Sequence, residues 1–211
     1  MRVYFVRHGQ SIFNADPFRN KTHQSLTTPL GEAGLAQAKK VAQRFHSIPI
    51  DIIYSSNATR ALKTAEAINE VIQKEMIITD LLRERQTPTI FHGKERDDPE
   101  IMKIKSIIQE HKDDPNWHYA DEENFFDFQN RGMKFLNSLE NEVSANILAV
   151  SHGYMLSLLA MLMIYGEQLT QDIYTPFMKS ANSTNTGVSM FEFKDNKWRL
   201  LTWNDYAHLG E

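Results

Sequence analysis

Cysteine is absent from this 211-residue chain. Disulfide bonds, a thiolate nucleophile and cysteine-ligated zinc are therefore excluded, although this absence does not decide the cellular compartment. A long hydrophobic run is also missing, because the most apolar stretch, residues 154–165, is shorter than the roughly 20 residues that a membrane helix needs. The first residues enter an apolar segment without the pattern of a secretory leader. We therefore expect a cytoplasmic protein with no membrane partner.

The chain likewise lacks a large excess of either charge. Its 23 lysines and arginines and 27 acidic residues leave a formal net charge of −4. This balance gives no general attraction to nucleic acid, so an anion-binding site would have to be local. The length favours one domain over residues 1–211, with residues 85–120, approximately, as a candidate cap insertion. The apolar helices are compatible with a homodimer.

Apolar segments of strand length alternate with segments of helical periodicity. We expect strands at residues 2–6, 50–54, 76–79 and 147–150, and a β-hairpin from residues 187–193 and 198–203. We expect helices at residues 28–47, 58–74, 99–112, 123–143 and from residue 154, and loops at residues 12–24, 80–96 and 175–185. This order predicts a three-layer α/β/α sandwich with a mostly parallel sheet, to which the hairpin adds an antiparallel pairing.

The first long helix has a recognisable start and a clear apolar face. Thr28 and Pro29 are typical of an N-cap and a first helical position. The residues that follow place apolar side chains on one face of a helix. The predicted stripe consists of Leu35, Ala38, Val41, Ala42 and Phe45.

Two of the predicted strands lead directly into a histidine followed by a glycine. The first ends in Arg7-His8-Gly9 and the second in Ser151-His152-Gly153. The carboxyl ends of parallel strands form the sheet edge at which ligands bind, so we expect His8 and His152 to meet there around a phosphate. A histidine can attack phosphorus, and the planar fork of an arginine matches phosphate oxygens.

Each of these residues also has a purely structural interpretation. His8 could make hydrogen bonds at a strand end, His152 could be a satisfied core histidine, and Arg60 could be a solvated helix residue. Arg60 follows the second strand in the first turn of a helix, where the helix terminus already favours anions. A position at the same sheet edge as both histidines favours the phosphate interpretation.

A series of short motifs extends along the whole chain in a fixed order. They are Arg7-His8-Gly9 with Ser11 and Asn14; Leu26-Thr27 with Gly34 and Gln37-Ala38; Ser55-Ser56 with Arg60-Ala61 and Thr64-Ala65; Leu82-Arg83-Glu84; Phe125 to Leu139 with Arg131; Ser151-His152-Gly153; and Asn204-Asp205 with His208-Leu209. This ordered set resembles the histidine phosphatase superfamily, also called the phosphoglycerate-mutase-like family.

The resemblance implies a role for each site residue. His8 would be the nucleophile, attacking as neutral imidazole while a backbone carbonyl holds its other nitrogen. Arg7, Arg60 and His152 would bind the phosphoryl oxygens, and Asn14 and the Gly153 N–H would add donors. These groups would supply the positive charge, so no metal and no cofactor are expected.

Glu84 would be the acid that protonates the leaving alcohol and then the base that activates water. It lies in Arg83-Glu84-Arg85, and a charge run of this kind is usually a solvated face. Asp80 is the alternative acid. A neighbouring arginine lowers the pKa of a carboxyl group, so burial would have to raise it for the acid role.

The resemblance leaves the reaction open. Mutases of this family usually have a tryptophan before the asparagine of the first motif, whereas here Ile12-Phe13 precede Asn14. We therefore expect a metal-independent phosphomonoesterase acting on a small-molecule phosphomonoester, with phosphoryl transfer within a small sugar acid as the alternative. Candidates for further substrate contacts are Lys21, His23, His92, Lys94 and Arg96.

Two other classes of function fit the sequence less well. A protein that only binds phosphate would have no use for the acid Glu84. A two-histidine metal enzyme would need carboxylates beside His8 or His152, and the sequence places no convincing set there.

Overall fold

The computed structural model describes residues 1–15, 24–95, 97–139, 146–181 and 183–210. Six strands and seven α-helices lie in these ranges. In chain order they are β1 (Arg2–Arg7), α1 (Ile12–Ala15), α2 (Glu32–Phe45), β2 (Ile52–Ser56), α3 (Thr59–Ile72), β3 (Glu75–Thr79), α4 (Pro99–Glu110), α5 (Phe125–Ser138), β4 (Asn146–Ser151), α6 (Gly153–Tyr165), α7 (Gln171–Ser180), β5 (Val188–Lys194) and β6 (Lys197–Asp205).

One six-stranded sheet organises the fold, with the strand order β3-β2-β4-β1-β5-β6. The first four strands in this order are mutually parallel, and β5 joins β1 antiparallel. The β1–β4 register pairs Arg7 with Ser151, so the residues after these two strands emerge side by side. The predicted α/β fold, mostly parallel with an antiparallel hairpin, is confirmed.

Helices cover both faces of the sheet because the buried strands alternate their side chains between two apolar cores. Val3 and Phe5 of β1 face the core that α5 and α6 complete. Tyr4 and Val6 face the opposite core, which α2 and α3 complete. No helix in the described ranges is long and apolar enough to cross a membrane.

The predicted start of α2 is wrong. The helix begins at Glu32 with Gly31 as its N-cap, because the residues before it pair with the turn that contains His8. Leu30 forms an isolated antiparallel bridge with Ser11, and the Gly31 N–H donates to the Gln10 carbonyl at 2.9 Å. Of the predicted stripe, Ala38, Val41, Ala42 and Phe45 are buried, whereas Leu35 is 51% exposed.

The predicted loop at residues 175–185 is wrong over its first half, where α7 extends to Ser180 and contains Pro176. Proline normally ends a helix because it removes one backbone donor. Here Thr170 caps the helix through the Ile173 N–H, and the buried ring of Tyr174 anchors it against α5. Tertiary packing therefore outweighs the local signal of the proline.

The other boundaries differ by a few residues. Strand β2 includes Ser55 and Ser56, beyond its predicted end at residue 54, and α5 ends at Ser138. The remainder of the predicted 123–143 helix beyond Leu139 lies outside the described residues. The hairpin of β5 and β6 is confirmed, and its turn residues Asp195 and Asn196 both have positive φ, the conformation that a tight hairpin turn requires.

Residues between β3 and α5 form a separate small apolar cluster. Phe91, Ile101 and Ile104 are buried in it, with Ile108 packed against them. Asp98 caps α4 by accepting from the Glu100 N–H at 2.8 Å, as its place before Pro99 predicts. This segment thus has its own packing, apart from the two cores that cover the sheet.

Candidate active site

The carboxyl ends of β1 and β4 bring the two histidines together. The His8 N–H donates to the Ser151 carbonyl at 2.9 Å, which ties the end of one strand to the other. The rings of His8 and His152 have centroids 5.0 Å apart. The sheet register therefore places two imidazoles, 144 residues apart in sequence, in one site.

His8 is oriented as a neutral ring with one nitrogen available. Its Nδ1 lies 2.7 Å from the Gly9 carbonyl, which can only accept, so Nδ1 carries the proton. Nε2 accepts from Arg60 Nε at 3.2 Å. Burial, reinforced by the charges of Arg60 and Arg7, holds the pKa of His8 well below its ordinary value. At neutral pH the ring presents an unprotonated Nε2.

Arg60 links the two histidines. Its Nε donates to His8, one terminal nitrogen donates to His152 Nδ1 at 3.1 Å, and the other donates to the Ser25 carbonyl at 2.9 Å. It is only 4% exposed. Burial lowers the pKa of Arg60 to about 10, which still leaves it charged at neutral pH.

His152 lies behind Arg60 rather than at the surface of the site. Its Nδ1 accepts from Arg60, so Nε2 carries the proton and donates to Ser56 Oγ at 2.9 Å. The ring has no exposed surface, and burial followed by the charge of Arg60 holds the pKa of His152 well below its ordinary value. The predicted contact of His152 with a phosphoryl oxygen thus requires Arg60 to move.

Arg7 is held by the segment that precedes β5. Its guanidinium donates to the Ser183 carbonyl. The side-chain amide of Asn185 donates to the His8 carbonyl at 2.8 Å, and the Thr186 N–H donates to the Arg7 carbonyl at 3.0 Å. One short segment thus orients both Arg7 and His8. No short sequence pattern points to Asn185, because its contact with His8 joins residues far apart in the chain.

The first turn of α2 and a threonine of α3 support the turn after His8. Gly34 packs so closely that a Cβ would lie 2.0 Å from the Gln10 carbonyl oxygen, which explains the glycine. Gln37 accepts from the Gln10 N–H at 2.8 Å, and Thr64 accepts from the Gly9 N–H at 3.0 Å. These contacts give a structural reason for three residues of the motif series.

Glu84 lies at the N-terminus of α6, close to the second histidine. Its carboxylate accepts from the N–H groups of Tyr154 and Met155 at 3.2 and 3.1 Å. Arg131 fixes the loop that carries it, because its guanidinium donates to the carbonyls of Leu81 and Arg83 and pairs with Glu123 at 2.6 Å. Asp80, the alternative acid, is exposed and lies away from the cavity lining.

A cavity of about 790 Å³ opens above these residues. Arg7, His8, Asn14, Arg60, Glu84 and Gly153 all line it, whereas His152 does not. Asn14 accepts from the hydroxyl of Ser11 at 2.9 Å, and Gly153 begins α6, where backbone N–H groups are unpaired within the helix. Five of the six predicted side chains, together with the Gly153 backbone, therefore surround one space.

The further candidates for substrate contacts divide into three groups. His92 lines the cavity. Lys94 pairs with Glu100 at 2.7 Å and is not part of the lining. Lys21, His23 and Arg96 lie outside the described residues. Within the described part of the chain, no three histidine, aspartate or glutamate residues are grouped closely enough to hold a metal ion.

Comparison with known proteins identifies the family. A profile of the histidine phosphatase superfamily (branch 1) matches residues 3–206. The chain belongs to this superfamily. The resemblance inferred from the motif series is therefore confirmed. The matched region contains both histidines that the sheet brings together.

Similar proteins within the superfamily include one named as a phosphatase and one named as mutase-like. The chain is 27% identical to the uncharacterized phosphatase PhoE of Bacillus subtilis, over 99% of this chain and 96% of the relative. It is also 27% identical to phosphoglycerate mutase-like protein 4 of Arabidopsis thaliana, over 99% of this chain and 87% of the relative. YhfR of Bacillus stearothermophilus shares the fold with a TM-score of 0.79 and 23% identity, covering 99% of this chain and 98% of that one.

Proposed function

We propose that this chain is a metal-independent phosphomonoesterase that works through a phosphohistidine at His8. The observation that carries the proposal is the state of the His8 ring. Nδ1 donates to a carbonyl, Nε2 is unprotonated, and the ring lines a cavity together with Arg7 and Glu84. A nucleophile, a cation and a carboxylate thus face the same space, whereas a protein that only binds phosphate needs no carboxylate there.

In the first step, Nε2 of His8 forms a bond to phosphorus while the bond from phosphorus to the leaving oxygen breaks. Phosphoryl oxygens replace Nε2 as the acceptor for Arg60, which frees the lone pair for attack. Arg7, Arg60 and the Gly153 N–H stabilise the charge on the equatorial oxygens. Glu84 gives its proton to the leaving alcohol.

In the second step, water attacks the phosphorus of the phosphohistidine. The Glu84 carboxylate, now ionised, takes a proton from this water, and the phosphorus–nitrogen bond breaks. Inorganic phosphate leaves, and His8 returns to its neutral form. Arginines supply the positive charge in both steps, and a metal ion has no role in them.

Phosphoryl transfer within a small sugar acid is the second candidate, favoured by the mutase-like relative. It requires the phosphohistidine to return its phosphoryl group to a second hydroxyl before water reaches it. The two reactions differ in their products. Measuring free phosphate and isomerised ester from the same substrate therefore separates them.

The central test traps the intermediate. With a radiolabelled substrate and a rapid acid-free quench, the wild-type protein should incorporate label at His8 in the presence of a chelator. Glu84→Gln should accumulate more of this species from p-nitrophenyl phosphate, because that leaving group needs no proton but hydrolysis of the intermediate still needs a base. His8→Ala should lose labelling and at least about a thousandfold in turnover.

Thermal unfolding of both variants serves as the control for folding. Turnover by a folded His8→Ala protein at the wild-type rate would overturn the proposal. Loss of turnover on chelation, with recovery when a divalent metal is added, would overturn its metal independence.

A further inference from the structure

The last motif of the series lies away from the cavity. Asn204-Asp205 ends β6, and His208-Leu209 belongs to the short helical turn that follows it. Neither Asn204 nor His208 lines the cavity. Both side chains instead contact residues 184–187, the Asn185 turn, which precedes β5. The motif is therefore connected to the segment that orients the nucleophile.

The Asn185 turn lies against the backbone of the nucleophile. The Asn185 side chain donates to the His8 carbonyl at 2.8 Å. The next residue, Thr186, donates its N–H to the Arg7 carbonyl at 3.0 Å. The direction in which the His8 ring enters the cavity therefore depends on the shape of this turn.

Asn204 fixes the first half of the Asn185 turn. Its Oδ1 accepts from the Thr184 N–H at 2.6 Å, and its Nδ2 donates to the Thr184 hydroxyl at 3.2 Å. A Cβ on Gly187 would lie 2.2 Å from Asn204 Oδ1, so a glycine is needed for this close approach. Asn204 itself has a φ of 51°, a conformation that asparagine adopts more readily than most residues.

His208 fixes the second half of the turn through Thr186. The buried Thr186 hydroxyl donates to the Asn185 carbonyl at 2.7 Å, so its oxygen accepts at 3.1 Å from a protonated Nε2 of His208. Among the described residues, no group forms a hydrogen bond with the buried Nδ1 of this ring. Burial, followed by the charge of Arg44, lowers the pKa of His208, which agrees with a neutral ring.

The turn that carries His208 is also attached to α2. Arg44, in the last turn of this helix, pairs with Asp205 at 2.6 Å. The first turn of α2 supports the chain after His8 from the opposite side. The C-terminal motif therefore contacts both of the elements that hold the His8 turn.

We propose that Asn204 and His208 are positioning residues for the nucleophile and act on His8 through Asn185. This inference rests on the proposed function and extends it to residues outside the cavity. Neither side chain contacts the substrate. Their loss should therefore slow the attack of His8 on phosphorus and leave substrate binding unchanged.

Variants of His208 separate positioning from folding. His208→Leu removes the donor to Thr186 together with the unpaired Nδ1. The rate of phosphohistidine formation from p-nitrophenyl phosphate should fall by about fivefold, as expected for one hydrogen bond of about 1 kcal/mol, with little change in KM. His208→Gln should recover most of this rate, because its amide can place an N–H near the position of Nε2. His46→Leu, at the exposed end of α2, is the matched control and should keep the wild-type rate.

A double-mutant cycle tests the route to His8. Asn204→Gly allows the positive φ and removes both hydrogen bonds to Thr184, so it should also slow phosphohistidine formation by about fivefold. Adding this change or His208→Leu to Asn185→Ala should cause little further loss, because all three act on one contact. Losses that multiply in the double variants would overturn the inference. Thermal unfolding of each variant serves as the control for folding.

The NMR signal of the His8 carbonyl carbon gives a readout that does not depend on turnover. It should move in His208→Leu and Asn204→Gly in the same direction as in Asn185→Ala, because all three weaken the hydrogen bond that this carbonyl accepts. An unmoved signal with wild-type rates would overturn the inference while leaving the phosphatase proposal intact. A moved signal, with no phosphohistidine in the wild-type protein, would instead support the positioning contacts and overturn the proposed chemistry.

Discussion

The two histidine turns are built alike and function in different surroundings. Each follows a buried parallel strand, and each is followed by a glycine. After His8 the chain continues into a turn beside the cavity, whereas after His152 it enters α6, the most deeply buried helix. His8 lines the cavity and His152 has no exposed surface. The same local pattern thus gives one ring that lines the cavity and one that is fully buried.

Arg60 is the source of this difference. It lies between the rings and donates to both, so we expect His152 to act on a bound phosphate through Arg60. Whether a histidine at a strand end is accessible therefore depends on the side chains that lie between its ring and the cavity. Three predictions test this division of roles, in order of expected effect.

Removing the link should have the largest effect. Arg60→Ala takes a charge and three hydrogen bonds from the site, and kcat/KM should fall by about 10²–10³. Arg60→Lys should recover only part of this, because an ammonium cannot donate to both rings with one planar fork. Arg199→Ala, an exposed hairpin arginine, is the control. An Arg60→Ala protein that is folded and fully active would show that the two histidines need no link.

The buried rings should make stability depend on pH. The pKa values of His8 and His152 are lowered in the folded chain, so the unfolded chain binds more protons below pH ~6.5. The free energy of unfolding should therefore fall as pH decreases from ~6.5, by up to about 1.4 kcal/mol per pH unit for each ring, and should be unaffected by them above that pH. Urea unfolding between pH 5 and 7 measures this slope.

His152→Asn should reduce that slope without removing phosphohistidine formation at His8. His118→Asn provides a control of opposite sign, because a hydrogen bond to Asp127 raises the pKa of His118. Its removal should leave the slope below pH ~6.5 unchanged and make the slope more positive only above that pH, where the folded chain holds this proton more tightly than the unfolded chain. An unchanged slope in His152→Asn would mean that the ring is not held neutral by burial.

The smallest effect should come from Asn185. Asn185→Ala removes the hydrogen bond to the His8 carbonyl, which costs about 1 kcal/mol, and kcat should fall by roughly five- to tenfold with little change in KM. The rate of phosphohistidine formation should fall by the same factor. Asn137→Ala, on the exposed side of α5, is the control. A change in KM alone would assign Asn185 to substrate binding rather than to positioning.

The core of the fold could be predicted from local patterns. Buried parallel strands are continuous apolar runs, and His8 and His152 follow two of them, so their meeting at one sheet edge required only the rule for parallel sheets. The place of Arg60 in this site was predicted by the same rule, because Arg60 lies in the first turn of the helix that follows β2.

Features that depend on contacts between distant segments could not be predicted. The first half of the predicted loop at residues 175–185 is helical, because the packing of Tyr174 holds α7 together despite Pro176. Leu35 fits the helical periodicity but faces away from the core because α2 is positioned by Gly34 against the His8 turn. No short sequence pattern predicts that Asn185 contacts His8. The same holds for the position of Arg60 between His152 and the cavity.

Met178, Lys179, Ala181 and Ser183 border the cavity, and Asn185 and Thr186 donate hydrogen bonds to the backbone carbonyls of His8 and Arg7. The same part of the chain therefore shapes the cavity and positions Arg7 and His8. Exchanging this part of the chain to reshape the cavity would therefore also disturb the hydrogen bonds that hold Arg7 and His8 in place. Substitutions in this part of the chain should therefore change substrate preference and turnover together.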